Sequence, residues 1–125
     1  MPYRLFCKTL SFKTLWEKLN NVKEIFYEKC EEIVVVRLEA KAGKEKELEQ
    51  FLAGALPLAE KELFTLSWYA LKLSPTVFGI FDTFADDAGR QQHLQGPIAA
   101  ALMAKASELL ATPPTIDQVD VLAAK

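Results

Sequence analysis

A chain of 125 residues with a single histidine has one side chain, His93, whose unperturbed pKa lies near neutrality. Such a ring is the natural acceptor for a substrate proton, so general-base chemistry is the first activity to weigh. His93 lies at the end of the stretch VFGIFDTFADDAGRQQHL, Val77 to Leu94. That stretch reads as an apolar strand turning through Asp86 and Asp87 into a helix. Asp86 is placed to cap the first turn, and both acids suit the positive end of the helix dipole. The structural alternative for His93 is a helix histidine bonded to a neighbouring backbone group or to Gln92. Trp68, Tyr69, Phe81 and Phe84 offer surfaces on which a flat ligand can stack, although aromatics on adjacent strands more often form core. Arg37 is suited to an anionic oxygen, or to a salt bridge with an acid such as Asp82. Met103 reads as core filling that also borders the pocket.

Other chemistries lack their parts. GxSxG is missing, which removes the hydrolase elbow. No Walker loop or GxGxxG supports a nucleotide. Cys7 and Cys30 have no CxxC spacing and only one histidine to join them, too few ligands for a structural zinc site within one chain. Two reduced thiols are expected, with a disulfide left open. Neither a metal nor a cofactor is therefore expected. A net charge of −2 without a Lys/Arg run gives no electrostatic basis for nucleic acid. Half the residues are hydrophobic and about a quarter charged, the balance of a globular domain. No apolar run approaches the roughly 18 residues of a membrane span. Lys8, Lys13 and Glu17 break the stretch a signal peptide needs, so a cytoplasmic location is expected.

The chain divides into a helical extension, 1–32, and a domain, 33–125. In the extension Phe12, Leu15, Trp16, Leu19, Val22 and Phe26 form one apolar stripe at helical spacing. Mixed acids and bases on its polar face favour packing on the domain or across a dimer over a membrane surface. In the domain, Ile33 to Ala40 is β-branched and alternating, with Val34, Val36, Leu38 and Ala40 on one face. A helix is expected over 44–61, kinked or shortened at Pro57. Strands follow at Phe64–Leu73 and Val77–Phe84, separated by a turn at Ser74-Pro75-Thr76. Gly96-Pro97 interrupts the helix of His93, a second helical run follows through Leu110, and Ile116–Leu122 is the last strand.

The sum, β-α-β-β-α-β, is the ferredoxin-like α+β arrangement, an antiparallel sheet with its helices on one side. Apolar residues occupy both faces of the middle strands: Trp68 and Ala70 on one side, Tyr69, Leu71 and Leu73 on the other. The uncovered apolar face calls for a partner, and a homodimer with the two sheets stacked is expected.

Residues 33–125 resemble the antibiotic biosynthesis monooxygenase (ABM) family of dimeric α+β barrels. The likeness is carried by Ile33–Ala40 leading into Ala42-Gly43-Lys44-Glu45, by Trp68-Tyr69-Ala70-Leu71, and by Phe81-Asp82-Thr83-Phe84 followed by Ala85-Asp86-Asp87 and His93-Leu94. Gly96-Pro97-Ile98 occupies the break before the family's second helical run. The resemblance implies a dimeric barrel. It also implies a cofactor-free monooxygenase acting on a small phenolic, quinol or other aromatic substrate, with His93 as base and Trp68, Phe81, Phe84, Arg37 and Met103 around the ligand. Some relatives instead degrade haem, using an asparagine, a tryptophan and a haem-ligating histidine. Those positions fall here on Val36, His93 and Met103, which disfavours haem. The family tryptophan at the end of the third strand is Phe84. The alternative is a non-enzymatic dimeric barrel that binds a small apolar ligand or serves in a stress response.

Overall fold

The computed structural model describes residues 32–125. The extension's amphipathic stripe, Cys7 and Cys30 lie outside the described residues.

The order is β1 (Glu32–Glu39), α1 (Glu45–Gly54), α2 (Leu56–Glu60), β2 (Ser67–Lys72), β3 (Val77–Phe84), α3 (Asp87–Leu94), α4 (Pro97–Leu109) and β4 (Thr115–Asp120). The four strands form one antiparallel sheet in the order β2-β3-β1-β4. This is the ferredoxin-like α+β fold. Within one chain the sheet stays open, with β2 and β4 as its edges, and does not close into a barrel.

Strand alternation assigns the faces. Val34, Val36 and Leu38 stand opposite Asp82, Ile80 and Phe78, and this side is buried under the helices. Leu48 and Leu52 from α1 join them, as do Leu102 and Leu109 from α4. Ile33, Val35, Arg37 and Glu39 occupy the other face together with Phe81, Tyr69 and Leu71, as the registers with β3 and β2 require. Tyr69 is 55% exposed and Leu73 54%, so this apolar side has no cover within the described chain.

The sequence overreads three features. The helix expected over 44–61 is two helices, because Pro57 in the first turn of α2 has no N–H to continue the α1 ladder. Strand β2 starts at Ser67 rather than Phe64, because Thr65 N–H closes a turn onto the Glu62 carbonyl before pairing with β3 begins. Met103 is 57% exposed instead of filling the core. It follows Leu102, whose side chain takes the inward direction, and adjacent helical positions diverge by about 100°.

Two local devices fix the helix that carries His93. The Asp86 side chain accepts the Gly89 N–H at 2.9 Å, starting α3 directly after β3. Gly89 then lies against the 62–66 segment. A Cβ built there would sit 3.0 Å from the Phe64 carbonyl oxygen, so α3 approaches that segment this closely only with glycine.

Candidate functional site

The close approach of α3 to the 62–66 segment brings together three ionisable residues from three elements. His93 faces inward from α3 and is 5% exposed. Asp82, on the helix-facing side of β3, is fully buried. Glu62, in the turn after α2, is 6% exposed. His93 Nδ1 lies 2.7 Å from Glu62 Oε2, and Nε2 lies 2.7 Å from Asp82 Oδ2. The two contacts differ in kind. The first is a hydrogen bond. At the second, neither Asp82 oxygen accepts an aligned bond, so attraction of charges is what holds it.

The electrostatics follow from burial. Desolvation raises the pKa of the Asp82 carboxyl; the contact with His93 opposes that, and the nearby Glu62 charge adds to it. Desolvation by itself would lower the pKa of the His93 ring. The contacts and charges of Asp82 and Glu62 together outweigh it and raise the pKa. The imidazolium is thus the favoured state, with an N–H toward Glu62 and the other nitrogen toward Asp82.

This sets a pH dependence. With both pKa values raised, the folded chain binds more protons than the unfolded chain, and stability falls as pH rises through each window. For Asp82 the favourable protonated form is withdrawn from its ordinary 3.8 upward to the raised value. For His93 the contribution is complete below 6.5 and is lost as pH climbs through the raised folded value. The single imidazole should therefore titrate by NMR above 6.5. The thermal midpoint should decline as pH rises above 6.5, and His93→Gln should flatten that decline. A titration at or below 6.5 would mean that the two carboxylates do not hold the proton on the ring.

Arg90, one turn before His93, anchors the same helix. It is 8% exposed and reaches Glu32 at 2.9 Å, Asp87 at 2.9 Å and the Val119 carbonyl at 3.1 Å. These contacts tie α3 to the start of β1 and the end of β4.

A cavity of about 390 Å³ opens between α2, the segment after it and the start of β2. Leu56, Ala59, Glu62, Thr65, Leu66 and Trp68 line most of it. Through Glu62 the buried cluster has a member on the cavity wall, whereas His93 is not itself a lining residue.

The structure disperses the residues singled out from sequence. Trp68 lines the cavity. Phe84 is fully buried in the core and does not line the cavity; its ring is 5.3 Å from the His93 ring. Phe81 is on the opposite sheet face, 6.3 Å from the Tyr69 ring. Arg37 is exposed on that face and cannot reach Asp82, which points into the helix side. Met103 lies on the outer surface of α4. The sequence reading missed Glu62 and left Asp82 without its true partner. Alternation with Phe84 marks Asp82 as inward-facing, but a glutamate in a turn 31 residues from His93 has no local signal.

Among the described residues, no three His, Cys, Asp or Glu side chains are grouped to hold a metal ion. Glu62 and Asp82 meet opposite nitrogens of one ring and do not converge. Nor is any helix among these residues long and apolar enough to cross a membrane.

No family model and no curated protein sequence matches the chain. Solved structures do. A candidate antibiotic biosynthesis monooxygenase from Deinococcus radiodurans is 21% identical with a TM-score of 0.64, covering 75% of this chain and 95% of that one. Another from Nitrosomonas europaea is 12% identical with a TM-score of 0.66, covering 78% and 95%. At these identities the likeness is one of fold. A third structure, a protein of unknown function from Nitrosomonas europaea, is 58% identical with a TM-score of 0.75, covering 77% of this chain and 93% of that one. With that identity over nearly the whole of its length, the chain belongs to the same family as this Nitrosomonas europaea protein of unknown function.

Proposed function

We propose that the protein is a cofactor-independent monooxygenase that oxidises a small phenolic or quinol aromatic with molecular oxygen. The observation that carries this reading is the buried Glu62–His93–Asp82 cluster with Glu62 on the wall of a partly apolar cavity. Loss of the phenolic O–H proton into this cluster leaves the electron pair on oxygen and makes the ring electron-rich enough to reduce O₂. One oxygen atom then enters the substrate and the other leaves as water, the substrate supplying the electrons. Leu56, Leu66 and Trp68 offer the aromatic ring apolar surface. His93, held as the imidazolium behind Glu62, balances the charge of the two carboxylates, and the fold shared with candidate monooxygenases supports the same chemistry.

The test is oxygen uptake by purified protein with a panel of quinols and hydroxylated aromatics, without added cofactor. Turnover that falls at least about tenfold in His93→Gln supports the reading. Ligand binding without uptake across the panel would favour a non-enzymatic small-ligand carrier instead.

The open face enters the same proposal, as the surface of a homodimer. Val35, Tyr69, Leu71 and Leu73 are all at least a third exposed on it. Stacking two such sheets removes this apolar area from water. Light scattering is expected to give twice the 14.0 kDa chain mass, and a mass of one chain would leave the face without this partner.

A further inference from the structure

We infer that the apolar stripe of residues 12–26 packs, within its own chain, across the mouth of the cavity beside α2, on Leu56 and Leu63. This docking stands apart from the oxidation proposed above, since it needs the groove and the stripe but no reaction.

The groove has no cover among the described residues. Leu56 is 46% exposed and Leu63 94%, and both border the cavity of about 390 Å³ together with Leu66 and Trp68. A single exposed leucine is ordinary, but two on the rim of one cavity form a patch that marks a contact. In the extension, Phe12, Leu15, Trp16, Leu19, Val22 and Phe26 supply a matching stripe at helical spacing. A segment of about 15 residues holds a helix in water only marginally, so it needs a surface to pack on.

The point where the chain enters the sheet selects this surface. Strands β1 and β2 flank β3, and Ile33 and Ser67 pair with the same residue, Thr83, from its two sides. Two strand spacings, about 10 Å, therefore separate the start of β1 from Ser67 on the cavity wall. From Glu32 back to Phe26 the chain reaches about 20 Å when extended. The stripe thus begins within reach of the groove of its own chain. Charge agrees with this placement. At about 100° per residue, Lys18 and Lys23 flank the stripe, while Glu17, Glu24 and Glu28 fall on the opposite side. The groove offers those lysines the exposed Glu60 on its lining. The open sheet face presents the exposed Arg37 instead, which repels them.

The test is hydrogen exchange of the full chain, read by mass spectrometry on peptides from 12–26. Their amides are expected to exchange about tenfold or more slowly than in a free synthetic peptide of the same sequence. Leu63→Asp should bring them within about threefold of the free peptide, because docking would then bury an unpaired charge. At 94% exposure the Leu63 side chain contributes little to the domain itself, so peptides from β1 should keep their protection. Carbodiimide coupling of the wild-type protein should join Glu60 to Lys18 or Lys23 within one chain. Exchange as fast as in the free peptide overturns the inference, as does protection that survives Leu63→Asp. Protection lost in Tyr69→Asp but kept in Leu63→Asp would seat the stripe on the open sheet face instead. Coupling of Glu60 only between two chains would give the groove to the extension of a second copy, and coupling to neither lysine would remove the charge match; either result overturns the assignment.

Discussion

Replacing His93 with alanine is expected to cost about 3–5 kcal/mol of folding free energy, because it leaves two carboxylates buried without their shared positive partner. Asp82 is fully buried and Glu62 nearly so, and neither can turn to water without moving β3 or the 62–66 turn. The loss is of the size measured when one member of a buried ion pair is removed, and it exceeds what deleting the ring's apolar area alone would cost. Against a total stability of about 5–15 kcal/mol, the variant would sit near the edge of folding at moderate temperature. Urea unfolding reads this directly, as a lower midpoint with an unchanged slope. The expected loss is greatest around neutrality; it shrinks in acid, where the carboxylates protonate and no longer need a counter-charge, and again as pH climbs through the raised His93 value, where the ring gives up its charge. A loss below about 1 kcal/mol at neutral pH would mean that the cluster is not charged as described. The same reasoning makes His93→Ala a poor probe of catalysis, since lost activity would report lost structure. Glutamine keeps hydrogen-bonding capacity at the position and is the better substitution for activity.

How far the sequence reaches is clearest in β3 and α3. The bounds Val77–Phe84 and the Asp86 cap are legible because each is local: an apolar run without a break, then an acid at the position where a helix needs an acceptor. The faces of β1 are legible for the same reason, since alternation at period two assigns Val34 inward and Val35 outward. The 62–66 segment is different. Its apolar residues suggest strand, yet the backbone turns at Glu62–Thr65, and that turn sets the Glu62 carboxylate against His93. The relation between Glu62 and His93 exists only once Gly89 lets α3 close on the segment, so no spacing along the chain encodes it. His93 was therefore visible as a residue, while the cluster that determines its charge was not. Arg37 shows the converse error. Its charge invited a pairing with Asp82, but alternation places the two on opposite faces of the sheet.

Truncating Phe84 to alanine is expected to cost about 3–5 kcal/mol, the usual range for a fully buried phenylalanine. The position has a second consequence that an ordinary core site lacks. The Phe84 ring stands 5.3 Å from the His93 ring at a 43° tilt and helps form the apolar wall that keeps water from Asp82 and His93. Desolvation is the first cause of the raised Asp82 pKa, so a cavity that admits water should let that pKa relax toward its ordinary 3.8. The pH dependence of stability should then weaken along with stability itself, two readouts from one substitution. Phe84→Leu, which keeps most of the volume, should retain the pH dependence at a smaller loss of about 1–1.5 kcal/mol. Phe84→Trp adds volume to a filled site, and is expected to cost about 1–3 kcal/mol unless neighbouring side chains repack. A stability loss in Phe84→Ala with the pH dependence intact would show that the ring is ordinary core. The charge state of the cluster would then depend on its own three residues, and the wall around it would have to be sought on the side of Leu94 and Trp68, which pack against the same core.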